Sequence, residues 1–211
     1  MKKTILMILV LLILGIGFWF FEKAEAPVNG ETVSYKNEFL GISIKYPRIL
    51  EVTEKNKTIS VHHEVLFTHH DFCDFKGEVD TTIDIMPDFH LDMYLVSKNL
   101  VGTMKQESLY IPEENFVNGA VVPSPGFIDT TEFGTLKGFA IFEGAEGCGQ
   151  TTYYFVVNGS KTLVVKQKLI TVFTGAIDVE QKDKAEAVIG VINKEKESFI
   201  LNNILESLRV E

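Results

Sequence analysis

"TTYYFVVNGSKTLVVKQK", residues 151–168, decides the fold class. Two alternating apolar runs flank Asn158-Gly159, and such a pair is the strongest short hairpin signal, because both turn residues accept positive φ. Just upstream, "TLKGFAIFEG" (135–144) has the composition of a third strand. An antiparallel meander therefore occupies this part of the chain.

Working outward, "FLGISIKYP" (39–47) alternates Ile42 and Ile44 with Ser43 and Lys45, the period-two pattern of a half-buried strand, and Pro47 ends it. After a turn at Asn56, "KTISVHHEVLF" (57–67) sets Ile59, Val61, His63, Val65 and Phe67 on one face, with Ser60, His62, Glu64 and Leu66 on the other. "DTTIDIM" (80–86) alternates too and stops at Pro87, so these two strands can form a hairpin.

In "DFHLDMYLVSKNL" (88–100), Phe89, Met93, Val96 and Leu100 recur at steps of four, three and four, which predicts a helix. Residues 102–128 carry Pro112, Pro123 and Pro125 with little periodicity and read as loop. From Val179 to Leu208 the spacing turns helical, with a break at Gly190 and a short closing strand at 208–210. The fold class expected is α+β, an antiparallel sheet covered by helices.

The N-terminus predicts a different environment. Lys2 and Lys3 precede an uninterrupted apolar run from Ile5 to Phe21. At ~1.5 Å per residue this spans ~26 Å, the short end of what crosses a bilayer. Ala24-Glu25-Ala26 fits the small-x-small pattern for signal cleavage, but Pro27 would follow the cut and disfavours it. We therefore expect an uncleaved, single-pass signal anchor over 1–23 and a linker over 24–33. The domain at 34–211 would lie outside a bacterial cell membrane, by the positive-inside rule. The chain carries a net charge of −9, about −11 without the two flanking lysines, which disfavours nucleic acid as a partner.

Two cysteines, Cys73 and Cys148, in an exported domain admit one intramolecular pairing, and a disulfide is expected. The glycine cluster "GAEGCGQ" (144–150) lacks the spacing and lysine of a phosphate loop and lies between strands, so it reads as a tight turn that lets Cys148 reach Cys73.

"HHEVLFTHHDFCDFKG" (62–77) holds four of the five histidines and is the main concentration of chemistry. One ion cannot bind all four, because His62 and His63 point to opposite faces and His63 and His69 stand ~20 Å apart on an extended strand. The metal candidate is therefore the loop set His69, His70 and Asp71, holding zinc or copper, with His62 or His90 brought in by folding. Otherwise His62 pairs with a polar neighbour such as Asp84, His63 faces the core with one satisfied hydrogen bond, and His69 and His70 are exposed. A hydrolase using Cys73 or a serine with a histidine base has no supporting nucleophile motif here.

The stretch "FLGISIKYP" and the closing "FILNNILESLRV" (199–210) resemble the opening strand and closing helix of the PsbP-like family, which shares its fold with the DcrB proteins. Gly41, Ile42, Ile44, Tyr46 and Pro47 match at the start; Phe199, Ile204, Leu205, Ser207, Leu208 and Val210 match at the end. The tryptophan usual after the opening is absent, with Ile49 and Leu50 there instead. The resemblance implies an α/β/α sandwich on an antiparallel sheet, without shared catalytic residues, whose members mostly bind other macromolecules. The function expected is a membrane-anchored binding or accessory module, not an enzyme, with no obligatory cofactor and another envelope protein as partner.

Overall fold

A computed structural model describes residues 30–70, 73, 82–108, 110–145, 147–174, 177 and 179–211. The expected anchor over 1–23 lies outside them; among the described residues no helix is long and apolar enough to cross a membrane. The compact unit spans Thr32–Glu211. It is α+β, mainly antiparallel sheet with three α-helices among the described residues.

A seven-stranded antiparallel sheet runs in the order β3 (Glu51–Lys55), β4 (Thr58–His70), β5 (Thr82–Val96), β11 (Lys161–Lys168), β10 (Cys148–Asn158), β9 (Leu136–Ala145), β8 (Ile128–Phe133). A second sheet has β2 (Ile42–Pro47) between β1 (Thr32–Asn37) and β12 (Arg209–Val210), and a two-stranded ribbon joins β6 (Phe116–Val117) to β7 (Ala120–Val121). The helices are α1 (Leu100–Glu107), α2 (Val179–Glu186) and α3 (Lys194–Ser207).

Directly opposed residues share a face of the sheet. One face carries the rows Ile59, Met93, Val165, Tyr153 and Val61, Leu91, Gln167, Thr151. Here Ile59, Val61, Leu91, Met93 and Val165 are buried, and α3 packs on this side through Glu197, which accepts a hydrogen bond from Gln167 at 2.7 Å. The other face carries Ser60, Asp92, Lys166, Thr152, Ile141 and Ile128 in one row. Half of that face, with Tyr154, Val164, Ile141 and Ile128, is buried with Met104 of α1 and Ile111.

The helix expected over 88–100 is a strand. β5 continues through Pro87 to Val96, and the alternation of Phe89, Leu91 and Met93, all fully buried, decides the period. Pro87 is accommodated by a bulge: His63 faces Phe89 and Glu64 faces Pro87, so Asp88 is the extra residue. A proline that cannot donate to the ladder is tolerated at such a defect. The helix begins at Leu100 instead, where Asn99 caps it by accepting from Gly102 N–H at 2.9 Å.

The 151–168 hairpin forms, displaced by one residue. Asn158 pairs with Lys161, so the turn is Gly159-Ser160, and the Asn158 side chain accepts from the Ser160 N–H at 3.0 Å. The Asn56 turn forms with Asn56 and Lys57 both at positive φ. Gly190 breaks the C-terminal helical region at φ +86°, and Asn193 caps α3 by accepting from Lys196 N–H. β12 closes the chain against β2, so the two stretches that carry the family resemblance are neighbours, Val210 opposite Ile42.

Candidate functional site

The bulge at Asp88 determines what becomes of His63. In a regular strand Asp88 would alternate away from Phe89; here both are fully buried. The Asp88 carboxyl meets His63 Nδ1 at 2.6 Å and accepts the Ile192 N–H at 2.7 Å, just ahead of the α3 cap. His63 is thus the core-facing histidine with a satisfied hydrogen bond that its strand parity predicts. An imidazole held by a buried carboxyl is half of a catalytic relay. Among the described residues, the hydrogen bonds of His63 reach Asp88 and no hydroxyl or thiol.

Beside it, burial raises the pKa of Glu197, with the Asp88 charge adding to the effect while Gln167 and Lys194 oppose it. A raised carboxyl favours the protonated native state, so stability falls as pH climbs from 4.5 through the raised value. Glu197→Gln removes this ionisation and keeps an acceptor for Gln167. Its unfolding free energy, measured by urea titration across pH 4–8, is expected to lack that decline and to exceed the parent's at neutral pH; parallel curves would refute the assignment.

His62 has a different neighbour from the Asp84 expected. Asp84 accepts from Thr68 at 3.1 Å, six residues further along β4, whereas His62 lies beside Glu51 of β3, Nε2 to Oε2 3.7 Å. The cross-strand register explains it, since Glu51, His62 and His90 form one row. The His62 and His90 rings stand 6.5 Å apart, centroid to centroid. His90 Nε2 lies 3.2 Å from Asp92 Oδ2, and the Ser60 hydroxyl donates to the other oxygen of Asp92 at 2.5 Å.

These side chains occupy the half of the second face that α1 leaves open: His62, His90 and Asp92 are between a quarter and a third exposed. Burial alone would raise Asp92, but hydrogen bonds from His90 and Ser60 and the charges of His90 and Lys166 hold its pKa below the ordinary value. Next in the row, Lys166 Nζ is 3.1 Å from Glu107 Oε2 of α1, and the Tyr94 hydroxyl donates to the same carboxylate. Burial of Glu107 is outweighed by Tyr94 and Lys166, so its pKa is lowered, while burial and Glu107 push Tyr94 far above the usual phenol range.

His69 and His70 end β4 and alternate across it, His69 half-buried and His70 exposed; His69 Nδ1 lies 2.7 Å from the His70 carbonyl. The third proposed ligand, Asp71, lies outside the described residues. Among those described, no three His, Cys, Asp or Glu side chains converge closely enough as they stand to hold an ion. His69 lines a cleft of about 170 Å³ with Cys73, Ile83, Met86, Lys168 and Thr171. Cys73 and Cys148 are disulfide-bonded, with Cα atoms 5.7 Å apart, and Gly147 and Gly149 at positive φ make the turn that presents Cys148.

Four of the residues that build this open face, Glu51, Asp92, Lys166 and Glu107, escape the sequence reading. Only one signal pointed to Asp92: its alternation with Leu91 and Met93, which becomes visible once the segment is taken as a strand.

No family model and no curated protein matches the chain. A crystal structure from Bacteroides thetaiotaomicron is similar at 8% sequence identity with a TM-score of 0.42, over 84% of this chain and 48% of that one. The chain thus spans about half the length of that neighbour.

Proposed function

We propose that this chain is an extracytoplasmic binding or accessory module of a bacterial envelope, tethered to the membrane through residues 5–21, with another envelope protein as its partner and no catalytic role. Its fold on this reading is the PsbP-like α/β/α sandwich. In support, helices lie on both sides of the seven-stranded sheet and the two family-like stretches pack together. The disulfide suits an oxidising compartment.

The observation that carries the reading is the open half of the second sheet face. Glu51, His62, His90 and Asp92 present charge and hydrogen-bonding groups on a broad, shallow surface built on rigid strands. Such a surface suits a macromolecule better than a small substrate, which needs a concave, enclosed site.

Photo-crosslinking in the producing cell tests it. A photoreactive residue at the exposed Glu64 of β4 is expected to give a discrete adduct of fixed mass that competes away with excess unlabelled protein. The same probe at the exposed Asn202 of α3 is expected to give none. Equal or no adducts from both positions would defeat the proposal.

A further inference from the structure

The open sheet face also carries the chemistry of what would dock on it. Resting on the binding role proposed above, we infer that the partner docks through a basic segment bearing an aliphatic side chain. The aliphatic group covers Leu66 and Ile85, and flanking lysines or arginines meet Glu64 and Asp84. Docking thereby extends from the His62–His90 row toward the end of β4 that lies against the start of β5.

Leu66 and Ile85 are directly opposed on β4 and β5, so they share a face of the sheet. It is the face of His62 and His90, because Leu66 lies four residues on from His62 and side chains alternate along a strand. A large aliphatic side chain in a strand usually turns to a core, yet Leu66 is 81% exposed and Ile85 43%. Adjoining exposed apolar groups with a polar surround mark an interaction site. The patch also has a recess: Ile85 and Pro87 line the cleft of about 170 Å³ together with Ile83, Ile170 and Val172. An apolar space of about that size takes a group as large as a benzene ring, so it accepts one aliphatic side chain.

The charge beside the patch selects the partner. Glu64, exposed on the same face and opposite Pro87, lies two residues from Leu66, and the exposed Asp84 is next to Ile85. Neither makes an ion pair among the described residues: Asp84 accepts from Thr68, whereas Glu51 and Asp92 further along have His62 and His90 beside them. Lys168 is the one lysine or arginine lining the cleft. Carboxylates on both sides of an apolar pair complement cations on both sides of an aliphatic side chain. The spacing agrees, since alternate side chains of an extended segment repeat every ~6.6 Å, the step from the Glu64–Pro87 pair to the Leu66–Ile85 pair. The net charge of −9 favours approach of a basic segment from a distance. Carboxylates here also disfavour burial in hydrocarbon, so a protein segment fits better than a lipid surface.

Fluorescence polarisation of the full chain in detergent tests the site, with a short labelled peptide in which one isoleucine has a lysine two residues away on each side. One peptide per chain is expected, weakened about fivefold or more in Leu66→Ser and in Glu64→Gln/Asp84→Asn, the latter with a shallower salt dependence. Ile189→Ser and Phe199→Ser, which remove exposed apolar groups elsewhere, should leave it unchanged. Thermal melts check that every variant is folded. Equal binding of a peptide with glutamate for lysine or serine for isoleucine, no binding, or no effect of Leu66→Ser would overturn the inference. Mapping the cellular adduct formed from position 64 separates this from the broader reading. An adduct on an acidic or wholly polar stretch overturns the basic segment and leaves the binding module standing, whereas loss of the adduct itself defeats the module.

Discussion

Asp88→Ala is expected to cost about 3–5 kcal/mol of unfolding free energy, because it strands two buried donors at once, the His63 ring and the Ile192 N–H. Asp88 is fully buried, so water cannot replace it without a cavity opening between β5 and the α3 cap. Asp88→Asn keeps an acceptor of the same shape and should lose less than the alanine variant. Urea unfolding of both variants and of His63→Ala would measure this. If the pair acts as one unit, Asp88→Ala/His63→Ala is less destabilised than the sum of the single changes. A loss below about 1 kcal/mol in Asp88→Ala would mean that the bulge is held by packing alone.

Opening the disulfide should have a comparable effect. Cys73 and Cys148 are separated by 75 residues, and cross-linking a loop of that length restricts the unfolded chain by about 4 kcal/mol in the chain-entropy account. For a domain of this size that corresponds to a fall in Tm of roughly 10 °C. Thermal unfolding with and without reductant, and of Cys73→Ser/Cys148→Ser, would show it. The double variant should match the reduced parent; a fall of only a degree or two in both would mean that the unfolded chain is already restrained near these positions. Cys148 is buried at the start of β10 and the Thr171 hydroxyl lies 3.0 Å from the Cys73 sulfur, so the bridge also fixes the segment after β11.

What the sequence made legible was local. Hairpins, helix caps and strand parity rest on neighbours within a few residues, so the Asn56 turn, the 151–168 hairpin and the inward face of His63 could be read from pattern. Pro87 misled because a proline usually ends a strand, and only a partner strand one residue short lets it stay. Phe89 and Met93, four residues apart, fit both the helical and the extended period, whereas Val96 fits only the helical one and Leu91 only the extended one. The open face depended on long-range register: Glu51, His62, His90 and Asp92 become one cluster only because β3, β4 and β5 pair with particular offsets. Nothing within any one of those strands states the offset.

The small sheet has a mechanical consequence. β1 and β12 both run antiparallel to β2 from opposite sides, so they are parallel to each other, with Thr32 at one end of β2 and Val210 at the other. A pull drawing Thr32 and Glu211 apart therefore acts along the strands. The load falls on the cross-links of β2 side by side, in shear, instead of unzipping them one at a time. Lys36 adds an ion pair to Glu211 at 3.1 Å, and the Glu211 N–H donates to the Gly41 carbonyl at 2.8 Å, so the last residue belongs to the clamp.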